Sequence, residues 1–599
     1  MTELIARRDL EFLLYEWLDV QSLARHERFA GHSRETFDSL LDLAEELAND
    51  YFAPFNRAND LNEPTFDGTS VCLPDNVGPA LQAFAKADLL AAVLPEDQGG
   101  LGLPGVIYGA YTSLFSAANI STAGYIMLTL GNARLLLAHG SAEQVERFVE
   151  PMIAGRFFGT MALSEPHAGS SLSDITTRAQ PQADGTYRVF GQKMWISGGD
   201  HELGENIVHL VLAKVPGSPA GTKGISLFIV PKFLVNDDGS IGERNDVVLS
   251  GINHKMGFRG TVNTAPVFGS GAHQPGGQDG AVGYLVGEAN RGLSYMFHMM
   301  NEARIGVGIG ATSLGYTGYL KSLTYARERL QGRKLGAAPT DPQVPIIEHT
   351  DVRRMLLAQK SYVEGALALC LYCSKLVDEL AADDGGDEAQ LGLLIDVLTP
   401  IVKSWPSQWC LTANDLAIQV LGGAGYTRDH DVEQHYRDNR LNPIHEGSHG
   451  IQGLDLLGRK ILGTGGQGLM RLLAEINKTC EQANVVATQR EGEAAELAEQ
   501  LSAAGQRLAQ VTAVVGGLGD SELMMANATA YLEATGHLVI AWIWLEQFLA
   551  AGDKEGDFYE GKRQTARYFF RCELPTINPK LEILAGADDT ALTMRAAWF

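Results

Sequence analysis

The sequence is sparing with cysteine and with positive charge, and each shortage excludes something. Six cysteines in 599 residues, at 72, 370, 373, 410, 480 and 572, are too few and too scattered for a disulfide framework. Cys370-Leu371-Tyr372-Cys373 has the spacing of a redox or metal pair. It lies inside an apolar helical run with no second pair nearby, so packed core cysteines and no metal site are expected. Lysine and arginine number 47 against 72 aspartates and glutamates, a net charge of −25. Phosphate backbones and anionic membrane surfaces would repel such a chain, which argues against nucleic acid as a partner. An anionic ligand in a local cationic pocket stays compatible with it. The N-terminus, Met1 to Asp9, lacks an uninterrupted apolar signal core, and no uncharged apolar run of about 18 residues is read elsewhere. A cytoplasmic protein without integral membrane contact is the expectation.

The composition that remains, 45% hydrophobic and 20% charged, suits a soluble globular protein of about three or four domains. Residues 1–156 read as a helical domain. Runs 10–23 and 36–51 show helical spacing, the second opened by Ser33 with Glu35 and Asp38 near its start. Helix continues over 80–92, is broken by Pro and Gly at 94–102, and resumes in small apolar helices to Leu137; Ser141 caps another that ends at Gly155. From Phe157 the period changes. Runs 158–163, 187–190, 193–196, 207–214, 225–230 and 262–268 are β-rich and bounded by Gly, Pro and Asp, which argues a small β-barrel or sandwich over 157–286. Residues 270–280 are Gly-rich and polar, the composition of a surface loop.

Helices return at Arg291. The stretch 295–329 holds glycines at 306, 308, 310, 315 and 318, a density that suggests close helix packing. Runs 350–381 and 391–421, separated by the acidic turn Asp383-Asp384-Gly385-Gly386-Asp387, complete an antiparallel bundle over 287–463. Thr464-Gly465-Gly466-Gln467-Gly468 is a linker, and 464–599 reads as a further helical domain with amphipathic runs at 493–512 and 521–550.

Asn442-Pro443-Ile444-His445-Glu446-Gly447-Ser448-His449-Gly450-Ile451-Gln452 places a carboxylate at the end of a Pro-interrupted segment. Gly447 allows a sharp turn and Ser448 is a good N-cap for a helix over 451–462, which ends in the cations Arg459-Lys460. Glu446 is thus presented at a helix N-terminus, either as a partner of the helix dipole or as a reactive group.

Two stretches bear on that choice. Ser164-Glu165-Pro166-His167-Ala168-Gly169-Ser170 follows a strand and offers backbone N–H groups and hydroxyls for a phosphate or a ring edge; a plain β-turn is the alternative. About 25 residues on, Lys193-Met194-Trp195-Ile196-Ser197 puts an indole on a strand, suited to stacking on a planar ring or to core packing. Together these two segments resemble the flavin and acyl-CoA contact pair of the acyl-CoA dehydrogenase family, over about residues 35–462. The resemblance implies a mainly α fold with a central β-barrel: helical domain, barrel, four-helix bundle, and here an additional C-terminal helical domain.

It also implies roles for residues. Met161, Leu163, Ser164 and Gly169 resemble the segment along the isoalloxazine of FAD, and Ser170 the serine shared between cofactor pyrophosphate and CoA. Trp195 and Ser197 resemble the aromatic and hydroxyl on the other side of the flavin. Arg329 and Gln331 resemble the segment that reaches the FAD of a neighbouring subunit, although Gly332 stands where many members have Phe. Gln419, Gly422 and Gly423 resemble the glycine turn that accepts the adenosine part of FAD; an ordinary helix C-cap is the other reading of that turn. Asn301 and Arg304 resemble the helix segment facing the base and the CoA chain. Glu446 matches the family's catalytic base in its E-G-(T/S) motif, with Gly447 beside the substrate and Ser448 beside the flavin. A minority branch carries its base at the position of Ala303, where alanine cannot act, and Glu302 is the neighbouring rival. His445 stands in place of a common Tyr and Gly450 in place of a polar flavin contact; His445 either couples to the base or is merely packed.

The implied reaction is α,β-dehydrogenation of an acyl-CoA thioester to the trans-2-enoyl-CoA, with medium- or long-chain fatty acyl-CoA in β-oxidation the favoured substrate. In the family the base residue's own N–H and a ribityl hydroxyl of FAD stabilise the enolate. Oxyanion donors of this kind are worth about 3–4 kcal/mol each. An electron-transferring flavoprotein is the implied acceptor and a homodimer the implied assembly. The alternatives are an acyl-CoA oxidase, a methylthiopropanoyl-CoA dehydrogenase and a DNA-associated member of the fold. The acidic clusters of 491–499 argue against the last.

Overall fold

The computed structural model of the chain describes residues 3–382, 388–487 and 492–599, and for 297–301 and 486–487 the backbone alone. The acidic turn 383–387, Glu491 and the side chain of Asn301 therefore lie outside the described residues. Internal contacts divide the chain into two compact units. One comprises Met1–Leu41, Pro104–Ala117 and Arg304–Phe599; the other comprises Asp42–Leu103 and Ala118–Ala303. Helices α1 (Gly105–His139) and α2 (Gly292–Glu328) each contribute to both.

The second unit holds the sheet. Its strands are β1 (Phe157–Ala162), β2 (Arg178–Pro181), β3 (Tyr187–Gln192), β4 (Ile196–Ser197), β5 (Asn206–Lys214), β6 (Ile225–Pro231), β7 (Val247–Ile252), β8 (Asn263–Phe268) and β9 (Ala281–Leu285). They run in the order β7-β8-β3-β9-β6-β5-β1, with β2 pairing β3 and touching β5, so that β3, β9, β6, β5 and β2 close into a ring. Along β5, Val208, Leu210 and Leu212 pack with Leu135, Leu136 and Phe148, while Val211 and Ala213 pack with Phe228 and Phe268. Both faces of the strand are covered, which is why β5 reads as one apolar run instead of alternating. Asn132 of α1 donates to the carbonyls of Thr160 (3.2 Å) and Val208 (2.8 Å), pinning the helix across parallel strands β1 and β5. Gly159 makes room for it, since a Cβ there would lie 2.5 Å from Asn132 Cβ.

The first unit is helical. Helices α3 (Thr350–Ala382) and α4 (Glu388–Leu421) pack along their length with the later part of α2. The glycine density of α2 has a specific cause. Pro406 lies inside α4 and lacks the N–H that would bond the Val402 carbonyl. A Cβ at Gly308 would sit 2.2 Å from that freed oxygen, one at Gly315 would lie 2.7 Å from Cys410 Cβ, and one at Gly318 2.5 Å from Asn414 Nδ2. Asp378 of α3 caps α1, accepting from Gly105 N (2.6 Å) and Val106 N (2.8 Å). Cys370 and Cys373 are buried core residues. Beyond α5 (His449–Leu454) lie α6 (Gln467–Ala487), α7 (Glu493–Gly516), α8 (Ala528–Ala551) and α9 (Asp557–Tyr568).

Several elements depart from the sequence reading. The run 10–23 is not one helix: Arg7–Glu11 leads into a wide helical turn, Phe12–Trp17, and Asp19 at φ 44° reverses the chain before a tight turn over Val20–Arg25. Helix α8 is buried on nearly every face, Trp542 and Trp544 included, instead of being amphipathic. Helix α1 does contain a window apolar and long enough to cross a bilayer by composition, contrary to expectation. Of that window 78% is buried inside the protein, which accounts for its composition.

Candidate functional site

In the barrel unit, β1 delivers Leu163 and Ser164 into a two-residue turn. Glu165 N and O pair with Ala168 O and N at 2.8 and 3.1 Å, leaving Pro166 and His167 at the tip. The Glu165 side chain is buried and accepts from the amides and hydroxyls of Thr176 and Thr177, at 2.6–3.0 Å. Lys193 Nζ, also buried, donates to Glu165 (3.1 Å) and to the Leu163 carbonyl (2.9 Å). Burial opposes ionisation of Glu165, but Lys193 and these donors outweigh it and hold the carboxyl down to about 2. Burial brings the Lys193 ammonium down to about 8, with Glu165 resisting.

The pair ties the turn to the Trp195 segment, as does Met194 N on the Ser164 carbonyl (3.0 Å). Trp195 is not on a strand. It turns a left-handed corner at φ 66°, ahead of the two-residue β4, and the residue is left 59% exposed. Ser197 lies at hydrogen-bond limit from Asn263 (3.4 Å). Met161, Leu163 and Ser164 are half-buried; Gly169 and Ser170 are exposed, and a Cβ at 169 would meet nothing. An exposed indole beside open backbone and hydroxyls suits a planar, hydrogen-bonding ring system such as a flavin. Glu302 is held in an ion pair by Arg134.

In the helical unit, the segment around Glu446 is fastened from below. Lys403, fully buried on α4, donates to the carbonyls of Asn442 and Gly447, both at 2.7 Å. Gln452 Nε2 donates to the Glu446 carbonyl (3.0 Å), and His449 N closes onto Pro443 O (2.9 Å). A buried amide chain supports this: His445 Nε2 meets Asn442 Oδ1 (3.0 Å), Asn442 donates to Asn439 (2.9 Å), and Asn439 to Asn414 (2.7 Å). Held so, Glu446 takes φ 52° and Gly447 φ 87°. A Cβ at 447 would lie 2.6 Å from Gln452 Nε2, so glycine is needed there for space as well as for conformation.

Glu446 keeps a partly accessible face, yet the surrounding protein desolvates its carboxyl and raises it above the ordinary range, against the pull of Lys403 and Arg304. Lys403 is brought down to about 7 by burial, with Glu446 opposing. Burial, and then Lys403, bring His445 down to about 3, so its ring is neutral and serves Asn442. Arg304 is buried and pairs with Asp455 (2.9 Å), which also receives Arg459 (2.6 Å). Ser448 occupies the N-cap of α5 without a side-chain capping bond. Arg329 and Gln331 are exposed, with backbone bonds to Ile346 and Val344. Gly332 has φ 69°, in the left-handed region that disfavours Phe. Gly422 (φ 60°) ends α4, and Gly422 and Gly423 present open backbone beside exposed Gln419.

Lys403, Asn439, Asn414, Gln452 and the Glu165–Lys193 pair escaped sequence reasoning. A signal existed for Lys403, which is the sole charge between Asp396 and Asp415.

Four domain families match the chain in order: acyl-CoA dehydrogenase N-terminal domain over 34–156, middle domain over 160–269, C-terminal domain over 290–462, and acetyl-CoA dehydrogenase C-terminal like over 472–595. The chain is 34% identical to 3-methylmercaptopropionyl-CoA dehydrogenase of Ruegeria pomeroyi, over 98% of each. It is 33% identical to the broad-specificity linear acyl-CoA dehydrogenase FadE5 of Mycobacterium tuberculosis, over 99% of each. Its fold matches an acyl-CoA dehydrogenase complexed with FAD from Bacillus anthracis with a TM-score of 0.73 at 20% identity, over 98% of this chain and 93% of that one.

Proposed function

Because this chain belongs to the acyl-CoA dehydrogenase family, we propose that it dehydrogenates linear saturated acyl-CoA thioesters to trans-2-enoyl-CoA, with Glu446 as the base. The observation that carries the reading is the state of Glu446. Its carboxyl is raised by desolvation, set at a left-handed corner, and anchored through the flanking carbonyls by Lys403 and Gln452. A base poised closer to neutrality accepts a weakly acidic α-proton more readily than an ordinary carboxylate. As Glu446 takes that proton its negative charge disappears, which removes the unfavourable burial of the anion. Arg304, fixed by Asp455, and Lys403 keep the carboxylate available before the transfer.

FAD, when bound, supplies the acceptor for the hydride leaving the β-carbon. In the barrel unit we assign its ring to Met161, Leu163, Ser164, Gly169, Trp195 and Ser197, with Ser170 shared with CoA. In the helical unit Arg329 and Gln331 are assigned to FAD at a neighbouring subunit, Gln419, Gly422 and Gly423 to the adenosine part of FAD, and Ser448 to the flavin beside the base. Asn301, Arg304 and Gly447 are assigned to the substrate, Arg304 through its charge. A homodimer and an electron-transferring flavoprotein as electron acceptor complete the reading. The similarity to the Ruegeria pomeroyi enzyme favours a second substrate, methylthiopropanoyl-CoA.

The test is Glu446→Gln, expected to lose turnover while remaining yellow and FAD-bound. An active Glu446→Gln protein, or an inactive Glu302→Gln one, would overturn the assignment. Anaerobic titration with acyl-CoAs of increasing length, and with methylthiopropanoyl-CoA, reads the substrate from flavin bleaching. Fast reoxidation by air would mark an oxidase instead.

A further inference from the structure

The C-terminal helical layer grips the element that carries the base. Helix α5 starts at His449, three residues after Glu446, and its glycine face lies against the start of α8. A Cβ at Gly453 would stand 2.8 Å from the Ala528 carbonyl oxygen and 3.0 Å from Thr529 N, so backbone packs on backbone there. The His449 side chain crosses from this contact to the bundle. His449 Nδ1 meets Ser404 Oγ at 2.5 Å on α4, and its Nε2 meets Glu533 Oε1 at 3.3 Å on α8. Lys580 holds the other Glu533 oxygen. Burial opposes ionisation of Glu533, but His449 and Lys580 prevail and keep it ionised, at about 2. Ser404 adjoins Lys403, whose ammonium binds the carbonyls of Asn442 and Gly447.

The order serine, histidine, carboxylate invites a hydrolytic reading. Ser404 has no exposed surface, so no substrate reaches its hydroxyl. What the chain of contacts does instead is fix His449, whose backbone N–H closes the Glu446 loop onto Pro443. A ring held at both nitrogens resists rotation, and so restrains the backbone that carries it.

We propose that Glu533, on the C-terminal layer, is a positioning residue for Glu446, acting through His449. The proposal rests on Glu446 being the base. It makes the layer a working part of the site, because the Glu533 end of the clamp lies on α8, outside the loop it holds. A displacement of about 1 Å at a reacting group lowers rates by as much as about 10²-fold.

The experiment uses the full-length FAD-loaded protein, with octanoyl-CoA and its shorter and longer homologues as probes, and reads kcat, KM, FAD content and the anaerobic rate of flavin bleaching. Glu533→Ala is expected to lower kcat and the bleaching rate roughly 10- to 100-fold, with KM and FAD content within about twofold of the parent. Glu533→Gln, which keeps shape and an acceptor oxygen, restores part of that loss. His449→Gln lowers kcat similarly, and the double variant is no worse than the poorer single one. Glu582→Ala, on the exposed Arg507–Glu582 pair of the same layer, leaves kcat unchanged. Unchanged kcat in FAD-loaded Glu533→Gln and Glu533→Ala overturns the proposal, as does additivity of the two losses. Turnover in Glu446→Gln brings down the base reading itself and is seen independently of Glu533.

Discussion

Lys403→Met tests how the base loop is held. The substitution keeps volume while removing an amine that donates to the Asn442 and Gly447 carbonyls at 2.7 Å each. Lys403 is protonated in the unfolded chain up to its ordinary value of 10.5, but in the folded protein only to about 7. Between those values the unfolded state binds the extra proton, so the group's contribution to stability rises with pH, by up to about 1.4 kcal/mol per unit. Below pH 7 both states are protonated and the full cost of burying the ammonium is present. Above it the neutral amine has two N–H donors for two carbonyls, a complete match. The parent should therefore gain up to about 3 kcal/mol on Lys403→Met between pH 7 and 9. The variant leaves the buried Asn442 carbonyl without its lysine donor, at about 1–3 kcal/mol, while the partly buried Gly447 carbonyl keeps a long contact from Gln452 Nε2 (3.4 Å). Urea unfolding of both proteins at half-unit pH steps measures the difference. Activity profiles measure its companion: without a cation beside it, Glu446 rises further, and the acid limb of kcat/KM moves to higher pH. A stability difference that stays flat from pH 7 to 9, with unmoved acid limbs, would refute the reasoning.

Two further outcomes follow from buried charge elsewhere. Lys562→Met removes a cation that contacts both Asp9 and Glu364 (2.8 Å) inside the helical unit, and should lower stability by about 3–5 kcal/mol in denaturant unfolding. Glu165→Gln should lose stability relative to the parent above the ordinary carboxylate value of 4.5, by no more than about 3 kcal/mol, and the difference should shrink as pH falls from 4.5 towards about 2. A Glu165→Gln difference independent of pH would show that folding leaves the titration of this carboxyl unshifted, and would refute the reading.

The sequence told most about elements whose cause is local. Gly, Pro and Asp bounded the barrel strands, and Ser141 caps its helix through a reciprocal bond with Gln144. The same holds for Gly447, since sharp turning and tight space both act within a few residues. What escaped depended on distant partners. Trp195 reads as strand because its neighbours are β-formers, but Lys193 and Met194 are drawn to Leu163, Glu165 and Ser164, and the chain must turn to reach them. Lys403 was legible as an isolated charge in an apolar helix, though not its targets, which lie about 40 residues on. Arg304 was noticed for its helix face, and Asp455, which fixes it, was invisible at a separation of 151 residues.

Seven non-glycine residues among those described have a left-handed φ, and Trp195 and Glu446 are two of them. Each holds a conformation about 1–2 kcal/mol above an ordinary one for an L-residue. Glycine at 446 would relieve that strain and remove the desolvated carboxyl as well. Drift under selection for heat tolerance alone thus runs towards erasing the residue, and only demand for turnover opposes it. Any effort to make this chain hardier by accepting whatever raises its melting point will therefore nominate position 446 early, and the hardier protein will be a silent one.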